Sequence, residues 1–204
     1  MSVELIKDKT FYIIDMESRL IKPLCKSVIY MGHYIRTLAW YDPHIERDLE
    51  RNYDFISGII LSGSFRNILP HHKFPKVPKF IFQQKDIPVL GICYGMQIMN
   101  YQTGGTITKN IRSEEGPKAI EILEDSPLFE GIDMEKGPYA GKVWMLHDYI
   151  CENPHPKFKI TARSKLSPIA AMERRNLYGL QFHPEYKTGM GKQIMHNFCN
   201  KICK

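Results

Sequence analysis

Short apolar runs recur along the chain and, through its first half, alternate with stretches of helical periodicity. Thr10 to Asp15 (TFYIID) predicts an opening strand of a parallel sheet, apolar up to its terminal aspartate. Ser18 to Met31 mixes apolar and basic residues at near-helical spacing, interrupted by Pro23 and closed by Gly32. Tyr34 to Trp40 reads as a second strand, Ile45 to Arg51 as a short helix with its charges outward, and Phe55 to Leu61 as a buried strand. Asn67 to Lys79, rich in Pro, His and Lys, predicts a surface loop, followed by a helix over Pro78 to Lys85 and another over Met96 to Gln102. Beyond Gly104 and Gly105 the pattern shortens. Two β-like runs flank RSEEGPK between Thr106 and Leu123, KVWMLHDYI makes another strand, and Phe158–Ala162, Ile169–Met172 and Leu177–Phe182 make three more. The segment from Gly191 to Ile202 predicts a terminal helix with Ile194, Met195, Phe198, Cys199 and Ile202 on one face. The order implies an α/β fold: an open, mostly parallel sheet with helices on both faces, whose functional groups belong at the C-terminal ends of strands.

One such end carries chemistry. PVLGICYGMQ, Pro88 to Gln97, is an apolar run that breaks at Cys93 and continues as a helix, with Gly91 and Gly95 two residues to either side. This is the G-x-nucleophile-x-G elbow, where a strand turns sharply into a helix and lifts the nucleophile to the top of the sheet. Glycines are needed there because strand and helix cross without room for β-carbons. A thiol at the start of a helix is also favoured as thiolate by the unpaired N–H groups and the dipole. Taken alone, a cysteine in an apolar run is most simply an inert buried thiol. A second segment, YGLQFHPE at Tyr178 to Glu185, argues otherwise. In an extended chain His183 and Glu185 project to one side, and Pro184 keeps its predecessor out of the helical region. Carboxylate would orient imidazole and imidazole would deprotonate thiol.

GICYGMQ together with YGLQFHPE resembles the class I glutamine amidotransferases, a flavodoxin-like fold, and the Tyr-Gly-Met-Gln form is most similar to the glutaminase part of GMP synthetases. The resemblance extends over most of the chain through Ile14-Asp15, GIILSG, DSPLFEGI and KVWMLH. It implies that Cys93 attacks the side-chain carboxamide of glutamine, that His183 oriented by Glu185 protonates the departing ammonia, and that water then hydrolyses a γ-glutamyl thioester. The reaction so implied requires no metal or cofactor. Backbone N–H groups of Ser64 and Tyr94 would stabilise the oxyanion, and Gln97 and His147 would contact the substrate. Three stretches depart from the family pattern. Ser62-Gly63-Ser64-Phe65 stands for Ser-Gly-Gly-Pro, so that Ser64 would be strained if it needed a positive φ. Glu114-Glu115-Gly116 stands for Glu-Tyr-Gly, and Leu146-His147-Asp148-Tyr149 for Ser-His-Gly-Asp. Trp144 is also accounted for as an ordinary core residue.

The 204 residues, 43% of them hydrophobic, fit one amidotransferase domain over 1–204. Neither a Ser-Gly-Gly-x-Asp-Ser nor a GxxxxGK[ST] phosphate loop is present, so the resemblance implies an ATP-dependent synthetase in trans as the ammonia-consuming partner. A net charge of +6 is spread along the sequence without a basic stripe, which argues against nucleic acid and for surface solubility or an acidic partner. Five cysteines, an odd number without a C-x-x-C pair, predict reduced thiols and a cytoplasmic location. The first residues are charged, without a signal-peptide core, and no apolar run approaches a membrane span. His71 and His72 are adjacent and have no further ligand at metal spacing. The alternatives are a free-standing cysteine hydrolase of glutamine or another γ-glutamyl compound and a non-catalytic binding module.

Overall fold

The computed structural model describes residues 9–68, 73–135, 141–186 and 189–204. His71 and His72 lie outside them. The strands are β1 (Thr10–Asp15), β2 (Tyr34–Ala39), β3 (Ile56–Leu61), β4 (Val89–Ile92), β5 (Thr106–Ile122), β6 (Lys142–Glu152), β7 (Lys159–Ser164), β8 (Ala171–Arg174) and β9 (Leu177–Leu180). They form one open sheet in the order β2-β1-β3-β4-β9-β8-β7-β5-β6. The first five in that order pair in parallel, and from β9 outward through β8, β7, β5 and β6 every pairing is antiparallel. The candidate nucleophile's strand β4 and the candidate base's strand β9 are neighbours, Val89 opposite Leu177 and Ile92 opposite Leu180.

Successive strand residues point to opposite faces, and each face has its own core. Phe11, Ile13, Ile60, Leu90 and Ile92 meet Leu24 and Val28 of α1 (Ile21–Tyr30) and Ile194 and Met195 of α5 (Gly189–His196). Tyr12, Ile14, Ile59, Leu61 and Val89 meet Leu49 of α2 (Ile45–Arg51), Ile81 of α3 (Phe80–Gln83) and Met96, Ile98 and Met99 of α4 (Tyr94–Gln102). Helices therefore cover both faces, as the pattern predicts.

Several local expectations change. Pro23 does not interrupt α1, because it lies in the first turn, where a missing N–H costs no intrahelical bond. The helix expected over Pro78 to Lys85 is a single turn, Phe80–Gln83. The charges of α2 do not all face outward: Asp48 is buried, accepting from the Tyr12 hydroxyl at 2.8 Å and from Arg36 at 2.5 Å. The two runs between Thr106 and Leu123 are one strand, whose pairing with β6 breaks between Lys109 and Glu114. The terminal helix ends in a π-helical turn, Asn197–Ile202.

Candidate active site

At the C-terminal end of β4 the backbone turns into α4 at Cys93, which has φ 50° and ψ −103°, a combination that a side-chain-bearing residue holds only where its surroundings fix it. What fixes it is the absence of two β-carbons. One added at Gly91 would lie 2.6 Å from the Gly95 carbonyl carbon, and one at Gly95 would lie 2.3 Å from the Leu61 oxygen. Strand and helix thus cross at backbone contact. Cys93 N–H donates to the Leu180 carbonyl at 2.6 Å, which fastens the elbow to β9. The residue is 5% exposed, and its sulfur lies 3.7 Å from the Leu146 carbonyl and 3.8 Å from Gln181 Nε2.

His183 and Glu185 follow β9 in a tight turn rather than an extended chain. Tyr186 N–H donates to the His183 carbonyl at 3.3 Å, with Pro184 at the second turn position, where its fixed φ is favoured. The turn still brings carboxylate to imidazole, Glu185 Oε1 lying 2.8 Å from His183 Nδ1 with both side chains almost fully buried. Nε2 is then the nitrogen left for the thiol. Burial is the largest influence on His183 and pushes it down. The Glu185 charge and the neighbouring Cys93 together outweigh burial and raise the imidazole from 6.5 to about 10.

These groups open on a cleft of about 400 Å³. Tyr94 is the first residue of α4, so its N–H has no intrahelical acceptor, and the residue lines the cleft. Ser64 lines the same cleft and is not among the positive-φ residues, so the strain conditional on that conformation does not arise. Gln97 is 4% exposed and donates from Nε2 to the Tyr149 carbonyl at 2.7 Å. His147 is buried in the opposite wall on β6, directly across from Glu114 on β5, with Nε2 3.4 Å from Glu114 Oε2. Burial pushes the Glu114 carboxyl up, but His147 and the hydroxyls of Ser167 and Ser164 prevail and hold it below the usual carboxylate range. Trp144 is half-buried against the Tyr186 ring, 5.0 Å between centroids, rather than deep in the core. Among the described residues no group of three or more His, Cys, Asp or Glu side chains is placed to hold a metal ion, and no helix is long and apolar enough to cross a membrane.

Three participants escaped the sequence reading. Gln181, fully buried, links the Cys93 sulfur to Gln97, whose Nε2 lies 3.4 Å from Gln181 Oε1. Its position two residues before His183 was the available signal. Gly63 lets the loop after β3 touch the imidazole, since a β-carbon there would lie 2.9 Å from His183 Cε1. The Leu146 carbonyl is the third, and nothing in the sequence announces a backbone group.

A strained cysteine elbow between parallel strands, with a histidine and glutamate at the adjacent strand's exit, brings together on an α/β sheet the side chains that a cysteine hydrolase would need. Residues 12–202 match the family described as glutamine amidotransferase class-I, and the chain belongs to that family. Among curated relatives, GMP synthase [glutamine-hydrolyzing] of Idiomarina loihiensis is 34% identical over 97% of this chain and 38% of that protein. The enzyme of the same name from Coxiella burnetii is 35% identical over 94% of this chain and 37% of its own length. The chain thus spans little more than a third of these relatives. A candidate GMP synthase subunit from Thermoplasma acidophilum shares the fold with a TM-score of 0.77 at 21% identity, covering 97% of this chain and 95% of that one. A glutamine amidotransferase from Thermotoga maritima does so with a TM-score of 0.67 at 20% identity, covering 95% and 83%.

Proposed function

We propose that the chain hydrolyses the side-chain amide of glutamine through a γ-glutamyl thioester on Cys93 and hands the ammonia to an ATP-dependent synthetase, in the manner of a GMP synthase glutaminase. The observation that carries this is the placement of Cys93 at a strained elbow beside an imidazole tied to Glu185 at 2.8 Å. The upward direction of the His183 shift, set against burial chiefly by the Glu185 charge and helped by Cys93, suits an imidazole that gives a proton to the leaving nitrogen.

The Cys93 sulfur attacks the carboxamide carbon. Charge developing on the amide oxygen falls to the N–H groups of Tyr94 and Ser64. His183 gives its proton to the leaving nitrogen, so that ammonia departs and the thioester remains. The same imidazole then takes a proton from water, whose oxygen attacks the thioester and releases glutamate. Glu185 stabilises the imidazolium at each stage, and Gln97 and His147 line the pocket for the rest of the substrate. The relatives' name supplies GMP synthesis as the destination of the ammonia.

A second reading, a hydrolase of another γ-glutamyl compound acting without a synthetase, is favoured by the outer wall. Leu146 is 40% exposed at the cleft, and Asp148 is held by the Ser113 hydroxyl at 2.5 Å. Ammonia release from L-glutamine by the purified chain, beside Cys93→Ala and with or without a candidate synthetase, separates the two. Partner-stimulated, Cys93-dependent release supports the first reading. Turnover of a γ-glutamyl compound with none of glutamine in either setting would replace it with the second.

A further inference from the structure

The loop after β3 carries one of the two proposed oxyanion donors, and it lacks the proline that fixes φ in the Ser-Gly-Gly-Pro pattern it resembles. Its shape here comes from contacts to the loop after β1. Ser62 Oγ accepts the Met16 N–H at 2.9 Å and donates to the Gly63 carbonyl at 2.8 Å. Ser64 Oγ accepts the Arg66 N–H at 2.9 Å, which folds Ser64 to Arg66 into a tight turn. Arg66, at the cleft rim, then reaches back to Glu17 in the turn after β1. Its Nε bonds one carboxylate oxygen and its Nη2 the other, the latter at 3.2 Å. Glu17 has φ 68°, a left-handed conformation uncommon for a residue with a side chain and one that persists only where neighbours dictate it. Asp15 Oδ1 accepts the Ser18 N–H at 2.9 Å and fixes the turn on which Glu17 stands.

We propose that Glu17 and Arg66 form a strap that positions the Ser64 backbone N–H for the oxyanion, a two-point ion pair one residue beyond the position where the resembled loops have proline. The proposal rests on the amide-hydrolase reading above. Glu17 lies outside the cleft and Arg66 at its rim, so both are positioning residues acting through Ser64. An arginine suits this, since its planar fork meets a carboxylate at two points and restricts the loop more than a lysine would. Because the pair is partly exposed, 42% and 25% by side chain, its hold is modest and sensitive to salt.

The test compares the full chain with Glu17→Gln, Arg66→Gln and the charge exchange Glu17→Arg/Arg66→Glu, with the synthetase partner present if turnover needs it. Each single variant should lower kcat about fivefold with KM changed by less than about twofold, because the lost donor acts on the transition state. Alkylation of Cys93 by iodoacetamide, which needs no oxyanion hole, should keep its rate. Amide hydrogen exchange of the peptide spanning Ser62 to Asn67 should quicken in both single variants, and the charge exchange should restore both exchange protection and kcat. Unchanged exchange in the single variants would overturn the strap, as would a charge exchange that only sums their losses. A raised KM with unchanged kcat in Arg66→Gln would overturn it too, by showing Arg66 on the substrate. A wild-type chain silent toward glutamine in every setting would instead overturn the amide-hydrolase reading, and the exchange measurement would still decide whether the strap orders the loop.

Discussion

The floor and the rim of the cleft are built on different principles. At the floor, Gly91, Cys93, Gly95 and the His183–Glu185 turn are held by backbone crossing and burial, and scarcely an atom there could move without displacing β3, β4 or β9. At the rim, Phe65 is 57% exposed and Leu146 40%, and the segments carrying them are tied by side-chain bonds such as Arg66 to Glu17 and Ser113 to Asp148. The difference assigns two tasks. The fold places the proposed nucleophile and base, while the choice of amide and the readiness of the oxyanion loop rest with side chains that can change without disturbing the sheet. All three departures from the family pattern, at Ser64-Phe65, Glu115 and Leu146 with Asp148-Tyr149, line this same cleft, at or beside its rim.

Substitutions at the floor should be the most damaging. Cys93→Ala should abolish amide hydrolysis, with a loss of at least about 10⁴-fold in kcat/KM read by ammonia release. Cys93→Gly should be equally inactive yet more stable than Cys93→Ala by about 1 kcal/mol in denaturant unfolding, because glycine relieves the positive φ. Gly95→Ala drives a methyl group into the Leu61 carbonyl and should cost about 3 kcal/mol in denaturant unfolding. Glu185→Gln should lower kcat by about 10²-fold or more and should also change how stability responds to pH. The folded-state value of His183 is raised from 6.5 to about 10, so the protonated imidazole contributes stability in full below 6.5 and loses it as pH climbs through about 10. With the Glu185 charge removed, thermal melts should decline less steeply across that window.

Substitutions at the rim and in the cleft wall should sharpen the contrast by sorting differently from those at the floor. Ser64→Ala retains the backbone N–H and should keep kcat within about threefold, whereas Ser64→Pro, which deletes that donor, should cost about 10²-fold. Glu114→Gln leaves His147 without its carboxylate in a buried wall and should cost about 2 kcal/mol of stability, with a higher KM for the amide substrate and a smaller change in kcat.

The same division explains what the sequence made legible. The elbow was readable because its constraint is local: two glycines at fixed offsets from a cysteine, followed by helical periodicity, have few other uses. The parallel half was readable because β1 to β4 are apolar runs separated by helices. Asp48 was misplaced because its partners, Tyr12 and Arg36, come from β1 and β2, and no periodicity within α2 reports a buried ion pair across elements. The Glu114–His147 pair depends on the β5–β6 register, which the irregular pairing after Lys109 shifts in a way that alternation alone does not reveal. Gln181 and Gly63 were visible as letters, but their contacts with Cys93 and His183 exist only once β3, β4 and β9 lie side by side.

The strained Cys93 is the proposed nucleophile toward a carboxamide. The most direct test is acid-quenched mass spectrometry of the chain mixed with L-glutamine, with and without a candidate synthetase, followed by peptide mapping. A γ-glutamyl adduct on the peptide containing Cys93, accumulating in Glu185→Gln and absent from Cys93→Ala, is the predicted result. Cys93 unmodified in every mixture while ammonia is still released would contradict it.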